Sequence, residues 1–202
     1  MIVFFGPAGA GKSVQGQILA ARMGWRWLSA GQILRDTRDP EIASTIQRGE
    51  LVPHEAITHI MSNAIRKAGN IDQIILDGFP RKLEQAQWLI DSKTDHGRDI
   101  KLVIVLEVPR DELLRRLAIR GRVDDTQEAI DHRLSIYRQE MYPVLGLFSQ
   151  ESIPVVHIDG VGHVGEIHDR IFAELQRREL ARGWQNSCHH FSGPTRTNRT
   201  WR

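Results

Sequence analysis

The sequence predicts an α/β fold, a central parallel five-stranded sheet flanked by helices, and three observations predict it. Short apolar runs at residues 1–5, 25–28, 73–77, 101–107 and 154–158 alternate with stretches of helical spacing. Strands separated by helices pair in parallel, with both faces of the sheet covered. A glycine-rich turn follows the first run, and the carboxylates Asp77 and Asp159 stand at the ends of two others. Ligands of open parallel sheets bind at these carboxyl ends.

The turn is Gly6-Pro7-Ala8-Gly9-Ala10-Gly11-Lys12-Ser13. Its spacing, G-x-x-x-x-G-K-S between a strand and a helix, is that of a phosphate-binding loop. Glycines let the backbone curl and aim successive N–H groups inward as an anion nest. The helix that starts there adds its positive end. Gly9, Ala10, Gly11 and Val14 are expected to wrap a nucleotide's phosphates, with Lys12 reaching the β- and γ-groups and Ser13 ligating Mg²⁺. The expected architecture is therefore the P-loop NTPase fold.

The first helix covers residues 14–23. After strand 25–28, Ser29-Ala30-Gly31 supplies N-cap chemistry for a helix through residues 32–35. Asp39-Pro40 breaks it, and residues 41–48 form another, closed by Gly49. Leu51-Val52-Pro53 is extended. Helix 54–68 sets Ile57, Ile60, Met61, Ala64 and Ile65 on one face. Strand 73–77 leads through Gly78-Phe79-Pro80-Arg81 into a helix ending near Ser92. Residues 101–107 are the clearest buried strand, and Pro109 opens helix 111–120. Asp125-Thr126-Gln127-Glu128 reads as a capping box for a long helix carrying Ile130, Leu134, Tyr137 and Met141, which Pro143 is expected to kink or divide. Strand 154–158 and a helix over 163–180 complete a single domain of residues 1–182. Residues 183–202, rich in Ser, Thr, Asn, Gly and Pro, are expected to be a flexible tail.

At 202 residues, 41% hydrophobic and 26% charged, the chain has the makeup of one globular domain. No apolar run approaches a membrane span, and a loop beginning at Gly6 leaves no room for a targeting peptide, so a cytoplasmic location is expected. The single Cys188 excludes an internal disulfide and a cysteine-built metal cage. Nine histidines show no ligand spacing, so zinc is not expected. Net charge is +2, yet residues 180–202 hold Arg182, Arg196, Arg199 and Arg202 and no acid. The remainder is slightly acidic, which argues against a nucleic-acid surface.

Asp77 ends a buried strand, where an unpaired carboxylate is costly. Mg²⁺, held directly or through water, is the expected reason; the alternative is a cap on the Gly78 turn. Arg35, Arg81, Arg116, Arg120, Arg122 and Arg133 form a set of planar, permanently charged groups. Bringing two polyanions together for phosphoryl transfer requires such groups. Positioning and charge neutralisation supply that catalysis, and no general base is sought.

These blocks resemble the adenylate kinase family of nucleoside monophosphate kinases. The resemblance runs to about Leu180 and is carried by residues 6–12 and 29–35, Leu51-Val52-Pro53, Asp77-Gly78-Phe79-Pro80-Arg81 with Gln85, Arg120-Gly121-Arg122-Val123-Asp124-Asp125 and Arg133. The Asp-Gly-Phe-Pro-Arg block is highly specific, whereas the P-loop is shared by many NTPases. The resemblance implies ATP + NMP ⇌ ADP + NDP with Mg²⁺, a helical NMP-binding insertion at about 29–58 and a minimal lid at about 120–125. It implies that Arg116 and Arg120 serve ATP alongside the loop, and that Arg35 and Arg81 bind the acceptor phosphate. Arg120, Arg122 and Arg133 would neutralise the transferring group, with Ala30, Leu51, Val52, Gly78 and Gln85 around AMP. A monomer using ATP and AMP, with no nucleic acid or membrane partner, is expected.

The chain departs from the family at several positions. Ser13-Val14 stands where the family usually has Gly-Thr, and Gln32 replaces an acid. Ala30 replaces the usual Thr, as in UMP/CMP kinases. Ala30 thus points to a pyrimidine acceptor and Gln85 to AMP, with AMP preferred. No residues separate Gly121 from Arg122, where even short lids have a few. A UMP/CMP kinase and a nucleotide-binding regulatory module with weak turnover are the alternatives.

Overall fold

The computed structural model describes residues 1–122 and 125–181. The expected tail, and Val123-Asp124 of the expected lid, lie outside the described residues. In chain order the elements are β1 Ile2–Phe5, α1 Lys12–Met23, β2 Arg26–Ser29, α2 Ala30–Asp36, α3 Pro40–Gln47, α4 His54–Lys67 and β3 Ile74–Asp77. They continue with α5 Leu83–Asp91, α6 Lys93–His96, β4 Leu102–Glu107, α7 Arg110–Arg120, α8 Gln127–Gln150, β5 Val155–Asp159 and α9 Val164–Arg177. The strands form one sheet in the order β2-β3-β1-β4-β5. Every pairing is parallel. β1 lies between β3 and β4, the point where strand order reverses, and the crevice beyond its carboxyl end receives the glycine-rich loop.

Side-chain alternation in the strands feeds two cores. Val3, Phe5, Leu76, Val103 and Val105 enter one with α4, α5 and the end of α8. Ile2, Phe4, Ile75, Leu102, Ile104 and Leu106 enter the other with α1, α7 and α9. Helix starts follow local chemistry. Ser29 Oγ accepts from Gln32 N, and Asp39 Oδ1 from Glu41 N and Ile42 N with Pro40 in the first helical position. Among the described residues no helix is long and apolar enough to cross a membrane.

The structure differs from the sequence reading in three places. The cap of α8 is Thr126, whose hydroxyl accepts from Ala129 N, because Asp125 is bonded to arginines instead. α8 runs through Pro143 as one helix. Breaking there would expose Val144 and Phe148, both 0% accessible. Each such burial contributes ~1.5–3 kcal/mol, which together is enough to offset the ~3 kcal/mol cost of an internal proline. α6 is a single turn that the sequence reading did not contain, closed by Gly97.

Two histidines in the described residues sit in dry surroundings. His168 is 6% exposed, stacked on Phe172, with neither ring nitrogen hydrogen-bonded. The ring of Phe172 also carries the Arg22 guanidinium 3.6 Å from its centroid. His96 packs against Trp88, again without a partner for either nitrogen. Burial lowers the pKa of both below the ordinary 6.5, and Arg22 adds to the effect at His168. The unfolded chain therefore binds more protons just below pH 6.5, so stability falls as pH drops through that value. We expect the melting temperature to decline from pH 7 to pH 5, and His168→Leu to flatten the decline. A slope unchanged by the substitution would assign the acid sensitivity elsewhere.

Candidate active site

A cavity of about 620 Å³ opens beyond the carboxyl ends of β1 and β3. It gathers every residue to which the sequence reading gave a nucleotide contact.

The donor half is built on the loop after β1. Gly9 has φ +86°, and a Cβ there would lie 3.1 Å from the Leu113 carbonyl, so the loop presses on α7 in a way that only glycine permits. Ala10 N donates to Pro7 O at 3.2 Å, and Gly11 caps α1. Lys12 Nζ donates to the Gly6 and Pro7 carbonyls at 2.7 and 2.8 Å. Burial pulls its pKa down to about 8; Asp77 opposes this, and Arg81 and Arg120 reinforce it. Ser13 Oγ donates to Asp77 Oδ2 at 2.5 Å, and Asp77 is 3% exposed. The hydroxyl and carboxylate expected to serve one cation thus meet, although they are 64 residues apart. Val14 is half-exposed on the same wall. Arg116 is fixed in plane by Glu112 Oε1 at 2.7 Å and Gly160 O at 2.9 Å. Glu112 also holds Arg115, and hydrogen bonds to the two arginines pull its carboxyl down to about 2.

The acceptor half forms around the turn after β3. Arg81 Nε donates to Gly78 O at 2.8 Å, and Arg81 N donates to Gln85 Oε1 at 2.7 Å. A backbone N–H can only donate, so the Gln85 oxygen faces Arg81 and its Nε2 is the end left for a base. Arg35 Nη2 donates to Gln32 Oε1 at 3.2 Å, a neutral partner that orients the guanidinium without cancelling its charge. Ala30 and Val52 are buried and Leu51 half-buried against this wall. Burial lowers the pKa of Arg81; Asp77 opposes it, and Arg133 and Arg35 add to it. Cations on both halves raise one another's potential, the state of a site shaped for polyanions.

Between the halves, Arg120 grips Asp125 through Nε at 2.8 Å and through Nη2. Arg133 Nη1 reaches Asp125 Oδ1 at 3.0 Å, and its Nη2 reaches Ile46 O at 3.0 Å. The loop after α3 rests on α8: Gly49 has φ +75°, and a Cβ there would lie 2.8 Å from the Ala129 carbonyl. Arg122 lines the cavity.

Sequence reasoning missed Asp125 as a site residue, Glu112, Tyr137 with Met141 on α8, and the loop from Gly162 to Val164, all at the cavity or its arginines. Burial drives the Tyr137 phenol up to about 12, so it lines the wall as a neutral group. Glu112 could have been read from its i,i+4 spacing to Arg116. The Gly162–Val164 segment carries no comparable signal.

A phosphate loop facing a second cationic half across one cavity defines a P-loop phosphotransferase of the nucleoside monophosphate kinase type. The chain belongs to the adenylate kinase family, whose model, described as Adenylate kinase, matches residues 4–153. Relatives named Adenylate kinase include one from Thermus thermophilus, 34% identical over 86% of this chain and 96% of its own. Another, from Mycobacterium sp. strain MCS, is 36% identical over 87% of this chain and 99% of its own. A third, from Mycolicibacterium paratuberculosis, is 34% identical over 86% and 98%.

Proposed function

We propose that the chain catalyses reversible, Mg²⁺-dependent phosphoryl transfer from ATP to AMP, giving two ADP, as a cytoplasmic monomer. The observation that carries this reading is the pair of cationic half-sites on one cavity, Lys12 with the loop on one side and Arg35 with Arg81 on the other. Binding alone would not require positive groups on both sides of a transferring phosphoryl. Lys12 and the loop hold the donor phosphates, with Arg116 lying along the donor nucleoside. Arg35 and Arg81 take the acceptor phosphate, and Arg120, Arg122 and Arg133 stabilise charge on the group in flight. Gln85 Nε2 donates to a ring nitrogen of the acceptor base, with Leu51 and Val52 against its face. Residues 29–58 act as the acceptor-binding region.

Ser13 and Asp77 would hold Mg²⁺ directly or through water. Their hard oxygen atoms meet at 2.5 Å, and Asp77 is 3% exposed. Mg²⁺ ordinarily takes one or two protein oxygens, phosphates and water. It would supply neutralisation of phosphate charge. Among the described residues no three His, Cys, Asp or Glu side chains gather as a separate metal site.

A coupled assay with Mg-ATP and AMP, dAMP, CMP or UMP tests the reading: transfer is expected with AMP above the pyrimidine nucleotides. Preference for CMP or UMP would make this a UMP/CMP kinase, and ATP binding without transfer would make it a regulatory module. In this reading residues at about 120–125 act as a minimal lid. The ratio of ATP hydrolysis without acceptor to transfer with AMP is expected to exceed that of a short-lid family member, since lids exclude water. Equal ratios would remove the lid argument.

A further inference from the structure

Gln15 lies early in α1 and is 2% exposed, the most deeply buried amide among the described residues. Its Nε2 donates 2.9 Å to the carbonyl of Val164, 149 residues away at the start of α9. That carbonyl can only accept, so the amide nitrogen must face it, and Oε1 is left buried with no partner. Gln15 therefore ties the helix that carries Lys12 and Ser13 to the first residue of α9, where the segment after β5 ends. Gly162 and His163 of that segment, with Val164, line the cavity alongside Gln15 and Arg116. The segment is anchored again where Gly160 O accepts from Arg116, and Glu166 Oε2 accepts from His163 N.

We propose that Gln15 is a positioning residue for the donor nucleotide, one whose amide fixes the distance between the phosphate cradle and the wall that receives the donor nucleoside. This rests on the reading of that half as the ATP site. The argument is one of opposed demands. For stability alone, a methionine or leucine would fill this position without burying an unpaired oxygen, and buried polar atoms are ordinarily satisfied. An amide kept at a cost to the fold, in the first turns of the phosphate-binding helix, is the pattern of a residue retained for the site. The bond also joins two elements that each hold one part of the same ligand, so its loss is felt by ATP and not by the acceptor.

The test is Gln15→Met, with Gln15→Leu as a second apolar replacement, in the full chain. Binding of ATP without acceptor is measured by calorimetry, KM for ATP and AMP by initial rates, and melting temperature by differential scanning. The expected result is ATP binding and KM for ATP each weakened about tenfold, the scale of one lost hydrogen bond. KM for AMP should stay within about twofold, and the melting temperature should be equal or higher, because the orphan oxygen is gone. Gln15→Glu, which sets a carboxylate against the Val164 carbonyl, should weaken ATP further. Unchanged ATP binding in a folded variant, parallel losses for ATP and AMP, or failure of both apolar variants to fold would overturn the proposal. The calorimetric arm reads ATP alone, so it stands apart from whether AMP is the true acceptor.

Discussion

Lys12→Ala is expected to lower phosphoryl transfer by about 10²–10³-fold, the scale of removing one preorganised charge donor from a transition state. The melting temperature should remain within a few degrees of the parent. Both halves follow from the same geometry. Lys12 Nζ is held by the Gly6 and Pro7 carbonyls, where it faces the space the loop encloses and contributes nothing to either core. Burial and the nearby Arg81 and Arg120 work against its charge, and Asp77 only partly offsets them. Deleting the ammonium therefore removes an unfavourable cation from the empty protein and a favourable one from the complex with phosphates. The loss should appear in kcat and kcat/KM together, since the charge that Lys12 meets grows during transfer. Rates within tenfold of the parent would show that the loop amides suffice and would return Lys12 to a loop-bracing role.

Much of this site was legible because its signals are contiguous. The loop from Gly6 to Ser13 and the block from Asp77 to Arg81 each declare a turn, a charge and a strand end within a few residues, and the structure brings both to one crevice. Residues whose role depends on a distant partner were not legible. Gln15 meets Val164 only when α1 packs on α9, and no periodicity marks it. Asp125 was legible as a cap and misread for that reason. Asp and Thr side by side offer two capping oxygens, and the fold assigns the cap to Thr126 because two guanidiniums converge on the carboxylate. Pro143 shows the complementary limit. A local rule predicts a kink or a division, and the helix stays undivided, with Val144 and Phe148 beyond the proline buried.

Asp125→Asn is expected to cost about 10²-fold in kcat, the scale of misplacing catalytic groups by an ångström, with smaller changes in KM for either nucleotide. The carboxylate is 3% exposed and accepts from Arg120 through both oxygens while Oδ1 also accepts from Arg133. Burial pushes its pKa up, but Arg120 and Arg133 outweigh burial and hold it below the ordinary 3.8. Arg120 ends α7 and Arg133 lies within α8, on either side of the link between them, and Arg133 continues to Ile46 O on the acceptor side. One acid thus sets the spacing of two cations and ties both to the end of α3. An amide of the same shape returns one acceptor where the carboxylate had two, and one guanidinium must turn away from the transferring group. Because the cations then repel without a counter-charge, the melting temperature should also fall, more for Asp125→Ala than for Asp125→Asn. A readout of kcat separates this from simple loosening: Arg133→Lys keeps a charge near Asp125 but loses the fork that reaches Ile46. If it lowers kcat as far as Asp125→Asn does, the spacing of the two guanidiniums, and not their charge alone, is what Asp125 supplies.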